Sequence, residues 1–174
     1  PKVNNFICYS GTCQYNLRND ILMSMTDQLL NLIYTEKVRE DEGGTYGVYP
    51  MGQLVKYPVE RAVLQIFFNT APAKQEKLMK IIYAEADAFA KNGPDEASLN
   101  KVKEYMLKKH NEDLKENGYW LNSIDEYLYT GIDPVKDYEQ IVNSITAKDV
   151  RQFANELLKQ QNQITVSMIS PEKK

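Results

Sequence analysis

The sequence predicts an α+β fold: an antiparallel-rich sheet covered on one face by helices. Three observations carry that expectation. Alternating and β-branched runs cluster at the two ends and near residue 50, a long glycine-free amphipathic run follows the first of them, and everything between residues 95 and 160 has helical periodicity. Strands that segregate from a helical layer, rather than alternating with single helices, favour antiparallel pairing over a parallel βαβ sheet.

"VNNFICYS", residues 3–10, reads as a short strand ended by Gly11. The run 18–42 then lacks both glycine and proline, and Ile21, Met25, Leu29 and Ile33 recur every four residues. That spacing places them on one helical face, with Asn19 or Asp20 expected to cap the start. Gly43 and Gly44 are expected to stop the helix, one of them in the left-handed conformation that glycine adopts at little cost. Residues 45–55 and 60–70 read as two antiparallel strands. Pro72 opens a second helix over 73–91, with Leu78, Ile81, Ile82 and Phe89 on one face. Four helical segments follow, over 95–117, 119–131, 133–145 and 146–160. The last has Thr146 with Asp149 three residues on, close to a capping box. "NQITVSMIS", 162–170, is the closing strand.

Bulk properties bound the function. The chain has 174 residues, 43% hydrophobic and 26% charged, enough for one domain with a real core. A net charge of −3 gives no basic surface to favour nucleic acid, and no apolar run approaches the ~20 residues of a membrane span. The chain starts at Pro1 with no apolar leader, so a piece of a longer protein is expected, and the compartment is left open. Cys8 and Cys13 do not have redox or zinc spacing; free structural thiols are expected, with a local hairpin disulfide as the alternative.

Several chemistries are excluded by their missing parts. Gly43, Gly44 and Gly47 follow a helix and precede a strand, the reverse of a dinucleotide loop, so a phosphate would meet carbonyls. The single histidine, His110, rules out paired-histidine zinc motifs within this chain and is expected at a solvated or boundary position. The acidic groups Glu40, Asp41, Glu42 and Glu112, Asp113 are expected to be solvated charge, lacking the spacing of a calcium loop.

The order of segments carries a resemblance. "DILMSMTDQLLNLIYTEKVREDEGGTYGVYPMG", the strand and helices of "VERAVLQIFFNTAPAKQEKLMKIIYAEADAFAKNGPDEASLNKVKEYMLKKH", and "SITAKDVRQFANELL" before "ITVSMIS" together resemble the second, non-zinc lobe of the pitrilysin/insulinase-type zinc peptidases, the inverzincins. The resemblance implies one lobe, residues 1–174, of a metallohydrolase of the mitochondrial-processing-peptidase type. Its partner lobe would hold the zinc; this chain would bind no metal or other cofactor. It further implies that Arg39 hydrogen-bonds a peptide carbonyl of the substrate and that Tyr46 donates its phenol O–H to the oxyanion of the tetrahedral intermediate. Partners would then be a zinc-bearing lobe and a peptide, and the isolated lobe would self-associate through its uncovered contact face. A non-catalytic peptide-binding or assembly subunit of the same fold is the alternative. Pleating places Tyr46 on the face of Val48 and opposite Tyr49. Trp120, Tyr127 and Tyr129 are expected to serve as core and lobe-contact aromatics.

Overall fold

A computed structural model describes residues 2–40 and 47–169. Four strands, β1 (Val3–Thr12), β2 (Val48–Val55), β3 (Arg61–Thr70) and β4 (Asn162–Ile169), form one sheet in the order β2-β3-β1-β4. Every pairing is antiparallel. The helices are α1 (Leu17–Tyr34), α2 (Pro72–Asn92), α3 (Glu96–Asp113), α4 (Asn117–Thr130), α5 (Tyr138–Ser144) and α6 (Ala147–Leu158). The predicted α+β class and the helix-covered sheet are what the chain adopts.

Burial follows the pleat. In β1, Val3, Asn5, Ile7 and Tyr9 are buried beneath the helices while Asn4, Phe6, Cys8 and Ser10 point the other way. Register carries this across the sheet: Ile7 pairs with Ile66 and Tyr9 with Leu64, all four buried. On the reverse face Phe6 meets Phe67, ring centroids 4.7 Å apart. A one-residue slip would exchange the two faces, so the buried set fixes the register.

The core lies between this sheet and α1, which buries Ile21, Leu22, Met23, Met25, Leu29, Leu30 and Tyr34. Buried side chains around so much of its circumference make α1 the central helix. The alpha-helical part ends at Tyr34, earlier than the predicted run to residue 42, because the chain then winds into a π-helical turn, Thr35–Glu40. Its cap also differs from expectation. Asn16 accepts the N–H of Asn19 at 2.8 Å, so the helix begins at Leu17; Asp20 lies inside the first turn. The predicted helix over 133–145 is shortened to α5, since Asp133 accepts the N–H groups of Val135 and Lys136 in a turn and Asp137 takes φ 63°.

α6 packs on α2, α1 and β1. Its start is the anticipated capping box: Thr146 Oγ1 accepts the Asp149 N–H at 3.2 Å, and Asp149 Oδ2 accepts the Thr146 N–H at 2.8 Å. Gln160, just past its end, clips β1 by accepting the Thr12 N–H at 2.7 Å and donating to the Thr12 carbonyl at 3.2 Å. The clip fills the space beside Gly11, where a Cβ would meet Gln160 Cδ at 2.6 Å. Cys8 and Cys13 are free thiols.

Candidate functional site

The corner singled out by sequence joins the end of α1 to β2. α1 reaches it as a buried helix whose last residue, Tyr34, is fully enclosed and donates its O–H to the Ile82 carbonyl at 3.3 Å. The π-helical turn then packs against α2 and β2, with Val38 fully buried. Single π turns widen a helix locally and recur at functional sites. Arg39 belongs to this turn; its side chain, and the whole of residues 41–46 including Gly43, Gly44 and Tyr46, lie outside the described residues. The predicted glycine stop and the Arg39–Tyr46 geometry therefore fall there too. On the described side of the corner the expected alternation holds: Val48 is buried and Tyr49 is 55% exposed on the reverse face.

Two turns before Tyr34, α1 and β2 are pinned together. Asp27 Oδ2 accepts the Gly52 N–H at 3.0 Å, and Met23 lies so close to Gly52 that an added Cβ would meet its Cγ at 2.6 Å. Burial pushes the Asp27 carboxyl up to about 6, against the pull of the Gly52 and Gln28 N–H groups. Asp20, in the first turn of α1, is likewise pushed up to about 6 by burial, with the nearby Glu126 carboxylate adding to the shift. Glu126 accepts the Tyr15 O–H at 2.9 Å.

Three concavities stand out among the described residues, two of them beside α1. A groove of about 450 Å³ between α1 and α3 is lined by Gln28, Asn31, Leu32, Lys101, Val102 and Tyr105. A second, of about 230 Å³, shares Gln28 and Tyr105 and reaches His110 and Tyr138. A third, of about 320 Å³, lies between the β2–β3 hairpin and α4. There Lys56 donates to the Thr130 carbonyl, its ammonium 5.7 Å from the centre of the Tyr57 ring, and Tyr57 meets Tyr129 edge-on at 5.2 Å.

His110 corrects one expectation. It is buried, stacked on Tyr138 at 4.2 Å, with Nδ1 3.2 Å from the Tyr119 hydroxyl. A neutral aromatic slot, formed when α4 and α5 fold back on α3, has taken a residue that the charged wording of its helix assigned to the surface. Trp120, Tyr127 and Tyr129 are exposed rather than core, on an α4 that buries only Ser123 and Thr130. Among the described residues no three His, Cys, Asp or Glu side chains converge as metal ligands. With its one histidine engaged by tyrosines, the described part of this chain does not fit a zinc ion.

Comparison with known families decides the lineage. A family model described as the peptidase M16 inactive domain matches residues 1–106. The chain belongs to the peptidase M16 inactive-domain family. The sequence resemblance to a non-zinc peptidase lobe is thereby borne out. A search of curated proteins found no match. Among solved structures the fold is similar to the periplasmic protease PqqL from Escherichia coli, with TM-score 0.85 and 15% identity, covering 98% of this chain and 19% of that one. It is also similar to a peptidase M16 inactive domain from Pseudomonas fluorescens, with TM-score 0.75 and 19% identity over 95% of this chain and 40% of that one. An inactive peptidase domain from Bordetella parapertussis aligns with TM-score 0.76 and 13% identity over 99% of this chain and 92% of that one. The chain thus spans about a fifth of PqqL and two fifths of the Pseudomonas chain.

Proposed function

We propose that this M16 inactive domain is the substrate-binding, transition-state-assisting lobe of a zinc metalloendopeptidase. Residues 1–174 form one lobe, and the zinc sits on a partner lobe, in the same longer chain or on another subunit. The observation that carries this reading is the family match over residues 1–106, which includes both Arg39 and Tyr46. That the chain spans 19% of PqqL and 40% of the Pseudomonas chain supports a partner lobe, although it spans 92% of the Bordetella parapertussis domain.

In this reading the peptide lies in a chamber between the lobes. The zinc ion, held by the partner, supplies the activated water. This chain supplies two fixed donors. The Tyr46 phenol donates to the carbonyl oxygen of the scissile bond as it gains negative charge, an interaction stronger in the transition state than in the ground state. One such donor is worth about 10²–10³ in rate. The Arg39 guanidinium keeps its charge in any pocket and holds a neighbouring peptide carbonyl with its rigid fork of N–H groups.

The test is made in the two-lobed enzyme. Tyr46→Phe is expected to lower kcat about 100-fold while zinc content and KM stay constant. Arg39→Lys is expected to raise KM instead. If Tyr46→Phe turns over at the parent rate, the oxyanion role is refuted. The description of the family as inactive favours a second reading, a peptide-binding or assembly subunit without a zinc partner. A parent reading frame and its neighbours lacking H-x-x-E-H would favour that reading.

A further inference from the structure

Polar groups attach α4 to the domain. Tyr119, Ser123, Glu126 and Thr130 recur at intervals of four, three and four residues, which puts them on one helical face. That face is turned to the body: Ser123 and Thr130 are buried, Tyr119 and Glu126 half-buried. An inward stripe of this kind is ordinarily apolar. Here hydrogen bonds cross the seam. The Tyr119 hydroxyl lies 3.2 Å from His110 Nδ1, Glu126 accepts the Tyr15 O–H at 2.9 Å, and the Thr130 carbonyl accepts from Lys56. A helix docked in this way gains little from apolar burial, so charge decides how firmly it is held. The seam lies on the side of α4 that faces the domain, whatever covers the opposite side.

Asp20 sits behind this seam. From the first turn of α1 it acts on Glu126 of α4, on Tyr15 in the loop before α1, on Tyr138 of α5 and on Asp27 further along α1. None of these four groups is a cation. The nearby cations are committed elsewhere: Arg18 pairs with Asp149 at 3.2 Å, and Lys56 donates to Thr130 with its ammonium 5.9 Å from the Tyr15 ring and 5.7 Å from the Tyr57 ring. At the other end of the stripe, His110, Asp113 and Asp133 stand around Tyr119. Ionising Asp20 while α4 is docked therefore sets a second carboxylate near Glu126, in a place where burial disfavours charge; releasing α4 returns water to both.

We propose that α4 is a pH-operated flap, docked most firmly while Asp20 carries its proton and loosened when Asp20 ionises beside Glu126. α4 contributes Asn122, Asp125, Glu126, Tyr129 and Thr130 to the concavity at the β2–β3 hairpin and Tyr119 to the one that reaches His110, so its release widens both. Burial, with Glu126 adding to it, raises the Asp20 carboxyl to about 6 in the docked arrangement, above the ~3.9 of a solvated aspartate. Over that interval the docked state holds the proton and the released state gives it up. Docking therefore weakens as pH rises from about 4 to 6 and stays weaker above that.

Hydrogen exchange of the α4 amides in the 174-residue chain, corrected for the pH dependence of intrinsic exchange, measures the opening. The opening constant is expected to rise at least about tenfold between about pH 4.5 and about pH 7.5. Asp20→Asn fixes the position uncharged and leaves His110 in place; it is expected to hold α4 at its acid-side protection at both pH values. Glu126→Gln keeps an acceptor for Tyr15 and is expected to shrink the response without abolishing it, because burial is the larger cause. Circular dichroism checks that both variants are folded, and either one alone decides the matter. An α4 opening constant that does not change with pH in the unaltered chain overturns the proposal. So does a rise of undiminished size in Asp20→Asn, which would assign the response to the His110 end, or in Glu126→Gln. Arg39 and Tyr46 are untouched throughout, so this outcome is separate from that of the catalytic reading.

Discussion

Asp27 shows how much one side chain contributes to shape and how much it costs. It fastens α1 to β2 through the Gly52 N–H, yet its carboxyl titrates near 6 because burial disfavours the charged form. An unfolded aspartate titrates near 3.9. Between those values the folded state binds more protons, so stability falls as pH rises from about 4 to 6 and stays reduced above that. Asp27→Asn keeps an acceptor for Gly52 and removes the buried charge. We expect it to stabilise the chain by about 1–2 kcal/mol at pH 7 and by nothing at pH 4, read from urea midpoints at both pH values. Arg39 and Tyr46 were named from the resemblance alone, and the Arg39 side chain and Tyr46 lie outside the described residues. The Asp27–Gly52 tie was not legible in the sequence, since 25 residues separate its partners and an aspartate in a helix ordinarily faces water.

Elements with strong local signals were read correctly, and those that depend on their neighbours were not. The α6 cap is local: Thr146 and Asp149 satisfy each other's backbone N–H groups whatever surrounds them. Thr146→Ala is therefore expected to cost about 1 kcal/mol, measured by thermal or urea unfolding. The ends of α1 are different. Asn16 takes the cap that was expected of Asn19 or Asp20, and the helix changes to a π turn after Tyr34, where Val38 is drawn into the core. An eighteen-residue periodicity announces a helix but not its last turn. α4 departs in the opposite sense. Its aromatics were expected as core and lobe-contact residues, but the body of the domain takes only Ser123 and Thr130, leaving Trp120, Tyr127 and Tyr129 exposed.

In the whole molecule, stability is concentrated where α1, β1 and β3 share the core, and α4 is held mainly by Tyr15, Lys56 and the His110–Tyr119 contact. Native-state hydrogen exchange is expected to follow that division, slowest in α1, β1 and β3 and fastest among the long helices in α4. If α4 exchanges as slowly as α1, it is part of the same cooperative core. By itself the sequence determined the α+β class, the order of nearly every element, the capping box and the family, because those follow from periodicity, turn chemistry and segment order along the chain. Only the tertiary structure decided that His110 is buried in a tyrosine slot, that Asp27 holds Gly52, and that β2 and β4 are the outer strands of the described sheet. Each of these is settled by which distant segments come together, and pairing between distant segments is not written in the local pattern of any one of them.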